Sequence, residues 1–316
     1  MIIHVYADQK NIGDLLSAQG IKKGLRKTDT KDFIIEKYMR SYPDDWFKII
    51  CEDIKRIATQ NDLIVIGGGG LFHNCFEKFW IEILSNRPIS EIFLWGVGVC
   101  EIKDEETLMT QATKSLILAN TTILSVRDDR TSKWLNAAKT PRVIGCPSLN
   151  HLVGHRSKIT RMQKTKIKVL YVKHQGLEKN QEQEISNEVS RLAIKHDFQV
   201  NYIDNIVNDS NSLSSLQESY RSADLILTSR LHGCIIGYAM NKRILAISND
   251  FKIDEFMGLI GLSANVLSID RFLSREYNLR EIIDRKNSHL FYYKSLTWNF
   301  FIGIYLLLLH RKLGHS

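Results

Sequence analysis

The chain has 316 residues, of which 44% are hydrophobic and 25% charged, which excludes a disordered or fibrous polypeptide and allows two domains of ordinary size. Its net charge of +8 favours anionic partners, whether phosphorylated metabolites, acidic lipid or nucleic acid, without choosing among them. Five cysteines without a C-x-x-C pair, mostly in apolar runs, read as buried free thiols in a reducing compartment. The opening "MIIHVYADQKNIGD" lacks the basic and then apolar segments of a secretory signal. A cytoplasmic location is therefore expected.

In the first half, apolar β-branched runs alternate with helical patterns. The strands predicted are 2–6, 33–37, 63–67, 92–97, 122–126 and 142–145. Helices are predicted over 14–26, 46–60, about 72–86, 105–119 and 129–138. The strands are apolar on both faces, as in parallel sheets covered by helices on each side. "GHRSKITRMQKTKIK" (154–168) then breaks the pattern, with six Lys or Arg and no acid. It reads as a solvated basic linker, assigned to 154–167. It lacks the aromatic residues that would stack bases, so no nucleic-acid partner is expected.

The alternation restarts with strands at 168–173, 199–204, 224–229, 243–248 and 265–269. Helices are predicted at 178–196, 212–221, 232–241, 251–260 and 271–285. The expected fold class is α/β, with two Rossmann-like doubly wound domains (1–153 and 168–288) facing a cleft. The terminal "LTWNFFIGIYLLLLHRK" has an apolar run of about fourteen residues, too short to span a bilayer comfortably. Residues 289–316 are predicted as an apolar helix. It either closes a core or lies at a membrane surface, with His310, Arg311 and Lys312 towards lipid headgroups.

Doubly wound folds bind ligands outside the carboxyl ends of their strands. After the first strand come Gly13, which permits close backbone approach, and Asp14, either a helix cap or a carboxylate that accepts a hydroxyl proton. After the third strand, "VIGGGGLFHN" supplies Gly68, Gly69 and Gly70, either a tight turn or a backbone cradle for an anion at a helix start. It fits neither the P-loop nor the dinucleotide fingerprint. His73 reads as a satisfied polar residue. After the fifth strand, Arg127 is either paired with an aspartate at the surface or forks onto a phosphate or carboxylate. In the second half, "LTSRLHG" places Ser229, Arg230 and His232 at a strand end and helix start. Lys252 follows the next strand. Together Arg127, Arg230, His232 and Lys252 predict a small cationic site with one group able to move a proton near neutral pH.

"NIGD", "GGGGLFHN", "SVRDDRTSKWL" and "SRLHGCIIGYAMNKRILAISNDFKIDEF", in this order over residues 1–270, resemble the polysaccharide pyruvyl transferases. The resemblance implies a fold similar to the GT-B glycosyltransferases. It also implies transfer of the enolpyruvyl group of phosphoenolpyruvate to two hydroxyls of a sugar in a cell-surface glycan. The product is a cyclic pyruvate ketal, with phosphate released. Matched position by position, Arg127, Arg230 and His232 line the phosphoenolpyruvate site, and Lys252 is the later family lysine. Many members carry Asp-Pro where this chain has Cys146-Pro147, a departure that bears on acceptor choice.

The chemistry agrees with the cationic site. Two arginines and a lysine suit a nearly trianionic donor, and protonated His232 would deliver a proton to its methylene carbon. His232, Arg230 and Asp14 are the catalytic candidates. Arg127, Lys252, Gly13, Gly68, Gly69, Gly70 and Ser229 are the substrate-binding ones. No metal or other cofactor is called for. The expected partners are phosphoenolpyruvate and a sugar or lipid-linked oligosaccharide acceptor, with peripheral membrane contact through the terminal helix. A GT-B-type glycosyltransferase using a sugar nucleotide is the alternative, as is a non-catalytic member that binds glycan or membrane.

Overall fold

The computed structural model describes residues 1–26, 28–85, 90–100, 107–137, 140–155, 166–173, 179–208, 211–248, 250–285 and 288–314, apart from the side chain of Ile283. The chain forms two compact units. One comprises Met1–His151 with Tyr293–Ser316, and the other Leu152–Tyr292. Of the basic linker 154–167, residues 156–165 lie outside the described residues.

Unit 1 runs β1 (Ile2–Tyr6), α1 (Ile12–Gly24), β2 (Thr30–Ile34), α2 (Ile35–Ser41), α3 (Trp46–Ile57), β3 (Leu63–Gly67), α4 (Glu77–Ser85), β4 (Glu91–Val97), α5 (Gln111–Asn120), β5 (Thr122–Val126), α6 (Asp129–Leu135) and α7 (Ser148–His151). Its five strands pair in parallel in the order β2-β1-β3-β4-β5. Alternate side chains on each strand face opposite layers. Ile3, Val5, Ile64, Ile66 and Leu94 join a core with Ile50, Ile54, Phe79 and Trp80 of α3 and α4. Ile2, Leu63, Val65, Phe93 and Trp95 point the other way, onto Ile21 of α1 and onto Ile302 and Leu306. Those last two belong to α14 (Leu290–Gly314), which from Tyr293 onward is part of unit 1. Its seat is specific. Trp95 Nε1 donates to Asn299 Oδ1 at 2.8 Å in the buried layer, and a Cβ on Gly303 would overlap the Gly24 carbonyl.

Unit 2 runs β6 (Lys168–Val172), α8 (Lys179–His196), β7 (Gln199–Ile203), α9 (Leu213–Ser222), β8 (Leu225–Thr228), α10 (Leu231–Ala239), β9 (Arg243–Ile247), α11 (Phe251–Leu259), β10 (Val266–Leu267), α12 (Ile269–Leu273) and α13 (Leu279–Asp284). Its parallel order, β7-β6-β8-β9-β10, repeats that of unit 1. In both sheets chain progression reverses direction between the first and third strands, the switch point where such folds open a ligand crevice. Tyr171, Leu225, Leu227 and Leu245 pack against Val189 and Leu192 of α8. On the opposite face Gly237 lets α10 lie against Ile226 and Ile244.

Several predicted elements differ. The strand expected at 33–37 ends at Ile34, because the Glu36 amide turns to donate to the Ala7 carbonyl and α2 begins. The run 142–145 makes one isolated bridge, Val126 to Val143, and no strand. Gly145 has a left-handed φ of 81°, which extended backbone does not permit. The helix expected at 271–285 breaks into α12 and α13 around Arg275, whose φ is 67°. The strand expected at 265–269 shrinks to two residues.

Candidate functional site

Unit 1 gathers its candidates at its switch point. Asn11, not Asp14, caps α1: its Oδ1 accepts from the Gly13 amide at 3.0 Å. The Gly13 carbonyl accepts from Ser17 Oγ at 2.8 Å. That leaves half-buried Asp14 in the first turn, where the helix dipole favours a carboxylate. The glycine run after β3 does not open a helix, since a short 3-10 turn starts only at Asn74 and α4 at Glu77. Instead the run lies flat beneath α1. Gly68 and Gly69 have φ of 76° and 77°. An added Cβ on Gly68 would come within 2.5 Å of Ser17 Cβ, and one on Gly69 within 2.6 Å of Asp14 Oδ1. Gly70 abuts Cys100. The Gly68 amide is spent on the Trp95 carbonyl at 3.1 Å. His73 accepts from the Cys75 amide at 3.1 Å through Nδ1, as a capping residue does.

Arg127 belongs to this group. Its guanidinium covers Gly98, where any Cβ would overlap it, and the Gly98 amide donates to the Gly69 carbonyl at 3.1 Å. Nε donates to Asp128 Oδ2 at 2.8 Å and one terminal nitrogen to the Val99 carbonyl at 2.6 Å. The aspartate pair expected at the surface is instead buried, with side chains 5% and 4% exposed. Glycine at 98 leaves the space that lets the guanidinium lie down against the backbone. Burial opposes the Arg127 charge, and the Asp128 carboxylate outweighs it and holds the pKa above the ordinary value. Asp128 also caps α6, accepting from the Thr131 amide at 2.8 Å. Cys146 is buried and shares a 2.8 Å contact with Ser17 Oγ. Burial pushes its thiol pKa up, so it stays neutral.

Unit 2 places its candidates after β8 and β9. Arg230 is the N-cap residue of α10 and is half-buried. Its amide donates to Thr228 Oγ1 at 3.0 Å. One guanidinium nitrogen donates to the Asp204 carbonyl, at the end of β7, beyond the intervening β6. Ser229 is buried. Its hydroxyl lies near the Tyr171 phenol without a well-formed hydrogen bond. His232 stands half-buried in the first turn of α10. Lys252 stands in the first turn of α11, its Nζ 2.9 Å from Asp250 Oδ2, and Asp250 Oδ1 caps the helix. The cationic residues of both units are therefore already engaged by their own backbone and carboxylates, which fixes their direction.

Gly233 has a packing role. A Cβ there would overlap Thr228 Oγ1, so glycine lets the start of α10 rest on the end of β8. Gly233→Ala is expected to cost about 1–3 kcal/mol as an overpacking change, read as a lower urea midpoint at unchanged m-value. An unchanged midpoint would show that α10 gives way freely.

Sequence reasoning missed Ser17, Asp128 as a buried double partner, and the Asp204 carbonyl. Asp128 had a local signal, an aspartate three residues before Thr131 at a helix start. The other two depend on contacts distant in sequence. Among the described residues no group of three His, Cys, Asp or Glu is placed to hold a metal.

A family model described as polysaccharide pyruvyl transferase matches residues 11–251. The chain belongs to the polysaccharide pyruvyl transferase family. It is thus a transferase of polysaccharide biosynthesis, and the matched span covers the glycine run, Arg127 and the Ser-Arg-Leu-His-Gly block. None of the curated proteins compared matches the chain. Among solved structures it is similar to UDP-GlcNAc 2-epimerase of Methanocaldococcus jannaschii, with TM-score 0.61, 12% identity, and 97% of this chain and 99% of that one covered. The enzyme of the same description from Neisseria meningitidis gives TM-score 0.62 at 8% identity, with 97% and 99% covered. The S. aureus MnaA structure gives 0.57 at 11%, with 97% and 94% covered. At such identities the likeness establishes the fold, which is GT-B-like in this family member as in those epimerases.

Proposed function

We infer that the protein transfers the enolpyruvyl group of phosphoenolpyruvate onto two hydroxyls of one sugar of a cell-surface polysaccharide. The observation that carries this reading is the placement of Ser229, Arg230 and His232 at the switch point of unit 2, with Lys252 after the neighbouring strand. That set suits a small, highly charged donor. Arg230 and Lys252 are assigned to its carboxylate and phosphate, with Ser229 as a hydroxyl donor, while Arg127, closed off against Asp128 and the Val99 carbonyl, holds the glycine turns of unit 1 in place. Protonated His232 gives a proton to the methylene carbon, which becomes the methyl group, while the central carbon gains oxocarbenium character. One sugar hydroxyl adds there and passes its proton to Asp14. Phosphate departs with its bonding electron pair, and the second hydroxyl closes the ketal. Of the two hydroxyl protons lost overall, one balances the new methyl group and the other leaves on phosphate. The glycines 13, 68, 69 and 70 give the acceptor close approach to backbone.

Purified protein incubated with phosphoenolpyruvate and a panel of galactosides, glucosides and N-acetylmannosaminides is expected to release phosphate only when acceptor is present. An acid-labile ketal should form in equal amount. Nucleoside diphosphate release from sugar nucleotides, with phosphoenolpyruvate inert, would replace this reading with glycosyl transfer.

A further inference from the structure

The C-terminal helix has a second side that the fold of unit 1 leaves uncovered. Ser295, Asn299, Ile302 and Leu306 are buried, whereas Tyr293 is 61% exposed, Phe301 52%, Tyr305 49% and Leu308 60%. A solvated helix normally turns polar residues outward. Here aromatic and aliphatic residues form the outer crest.

Cations border that crest on both sides. The Arg26 guanidinium lies 4.9 Å from the Phe300 ring. Arg26 also lines a pocket of about 560 Å³ with Lys22 and Lys23. On the other side Arg142 stacks 3.3 Å from the Trp298 ring, at a groove of about 760 Å³ that Phe301 and Tyr305 also line. Arg311 and Lys312 follow in the last turn. From residue 285 to 316 the sequence has five Lys or Arg and no Asp or Glu.

We propose that this helix lies on an anionic lipid bilayer, its aromatic crest in the headgroup layer and the flanking cations on lipid phosphates. Charge complementarity selects this occupant, because the apolar crest, flanked by Arg26, Arg142, Arg311 and Lys312, would face like charge in a second copy of itself. The 25-residue helix would lie in the surface plane. Among the described residues no helix is long and apolar enough to cross a membrane. The proposal does not depend on the identity of the transferred group.

Flotation of the full-length protein with vesicles tests it. Binding is expected to vesicles with about 30 mol % phosphatidylglycerol, not to pure phosphatidylcholine, and is expected to weaken in about 0.5 M salt. Phe301→Ser with Tyr305→Ser and Leu308→Ser should lower partitioning about tenfold or more. Lys23→Gln with Arg26→Gln and Arg311→Gln should do the same, at about fivefold per charge. Should the serine variant fail to fold by circular dichroism, the glutamine variant decides alone. Absence of wild-type binding to the anionic vesicles overturns the proposal, as does equal binding by the wild type and every folded variant. A wild-type dimer that ignores vesicles and is split by the serine substitutions would overturn it in favour of self-association.

Discussion

His232→Gln is expected to remove ketal formation almost completely, lowering kcat by about 10²–10⁴-fold, the usual span for loss of a general acid. Glutamine keeps a hydrogen-bonding tip in the first turn of α10 but carries no proton to give. Arg230 keeps its tie to the Asp204 carbonyl and Lys252 its tie to Asp250, so donor binding should change by only a few-fold. Titration calorimetry with phosphoenolpyruvate and single-turnover ketal analysis separate these two quantities. Turnover within a few-fold of wild type would remove the proton-donor role from His232. Loss of donor binding alone would make it a binding residue.

The largest effect on stability is expected at Asp128. Its carboxylate meets Arg127 in a nearly solvent-free setting and also caps α6. Asp128→Ala strands a buried guanidinium and uncaps the helix, at a cost of about 3–5 kcal/mol together with about 1 kcal/mol for the cap. Asp128→Asn should cost less, because its side-chain oxygen still accepts from the Thr131 amide. The double variant Arg127→Met with Asp128→Ala should recover part of the loss, because no unpaired charge remains. Urea unfolding of the four proteins checks this. A Asp128→Ala midpoint close to wild type would mean that water reaches the pair.

Much of the fold can be read from the sequence, because buried parallel strands are unbroken apolar runs that end abruptly at Gly, Arg or Ser. β1, β3 and β5 lie at the expected residues, and β8 ends one residue early, at Thr228. The failures have local causes. "FIIEK" has strand propensity, but a single amide bond, Glu36 to Ala7, turns it into helix. "RVIG" has strand-like residues, but it makes only the Val126–Val143 bridge before its glycine turns the chain with a left-handed φ.

For the candidate site, residue identity and strand-end position could be read, but not environment. Whether Arg127 pairs at the surface or in the interior depends on Gly98, on a different strand end. One partner of Cys146 is Ser17, 129 positions away. Asp14 invites a reading as a cap, and the asparagine three residues earlier takes that role.

The C-terminal helix has one more consequence. A rod that is oily on nearly every side has almost no intrinsic rotational preference and could roll or slide on the sheet with little change in buried area. Asn299, one turn after the buried Ser295, breaks that symmetry: its Oδ1 meets the only polar atom of the Trp95 ring, while its amide nitrogen donates to the Ser295 carbonyl at 2.8 Å. Four residues on, Gly303 locks to Gly24 at close range. Like a lone asparagine inside a coiled coil, this pair sets the helix's angular phase. Which side chains form the outer crest is therefore decided by one amide and one missing side chain on the inner face.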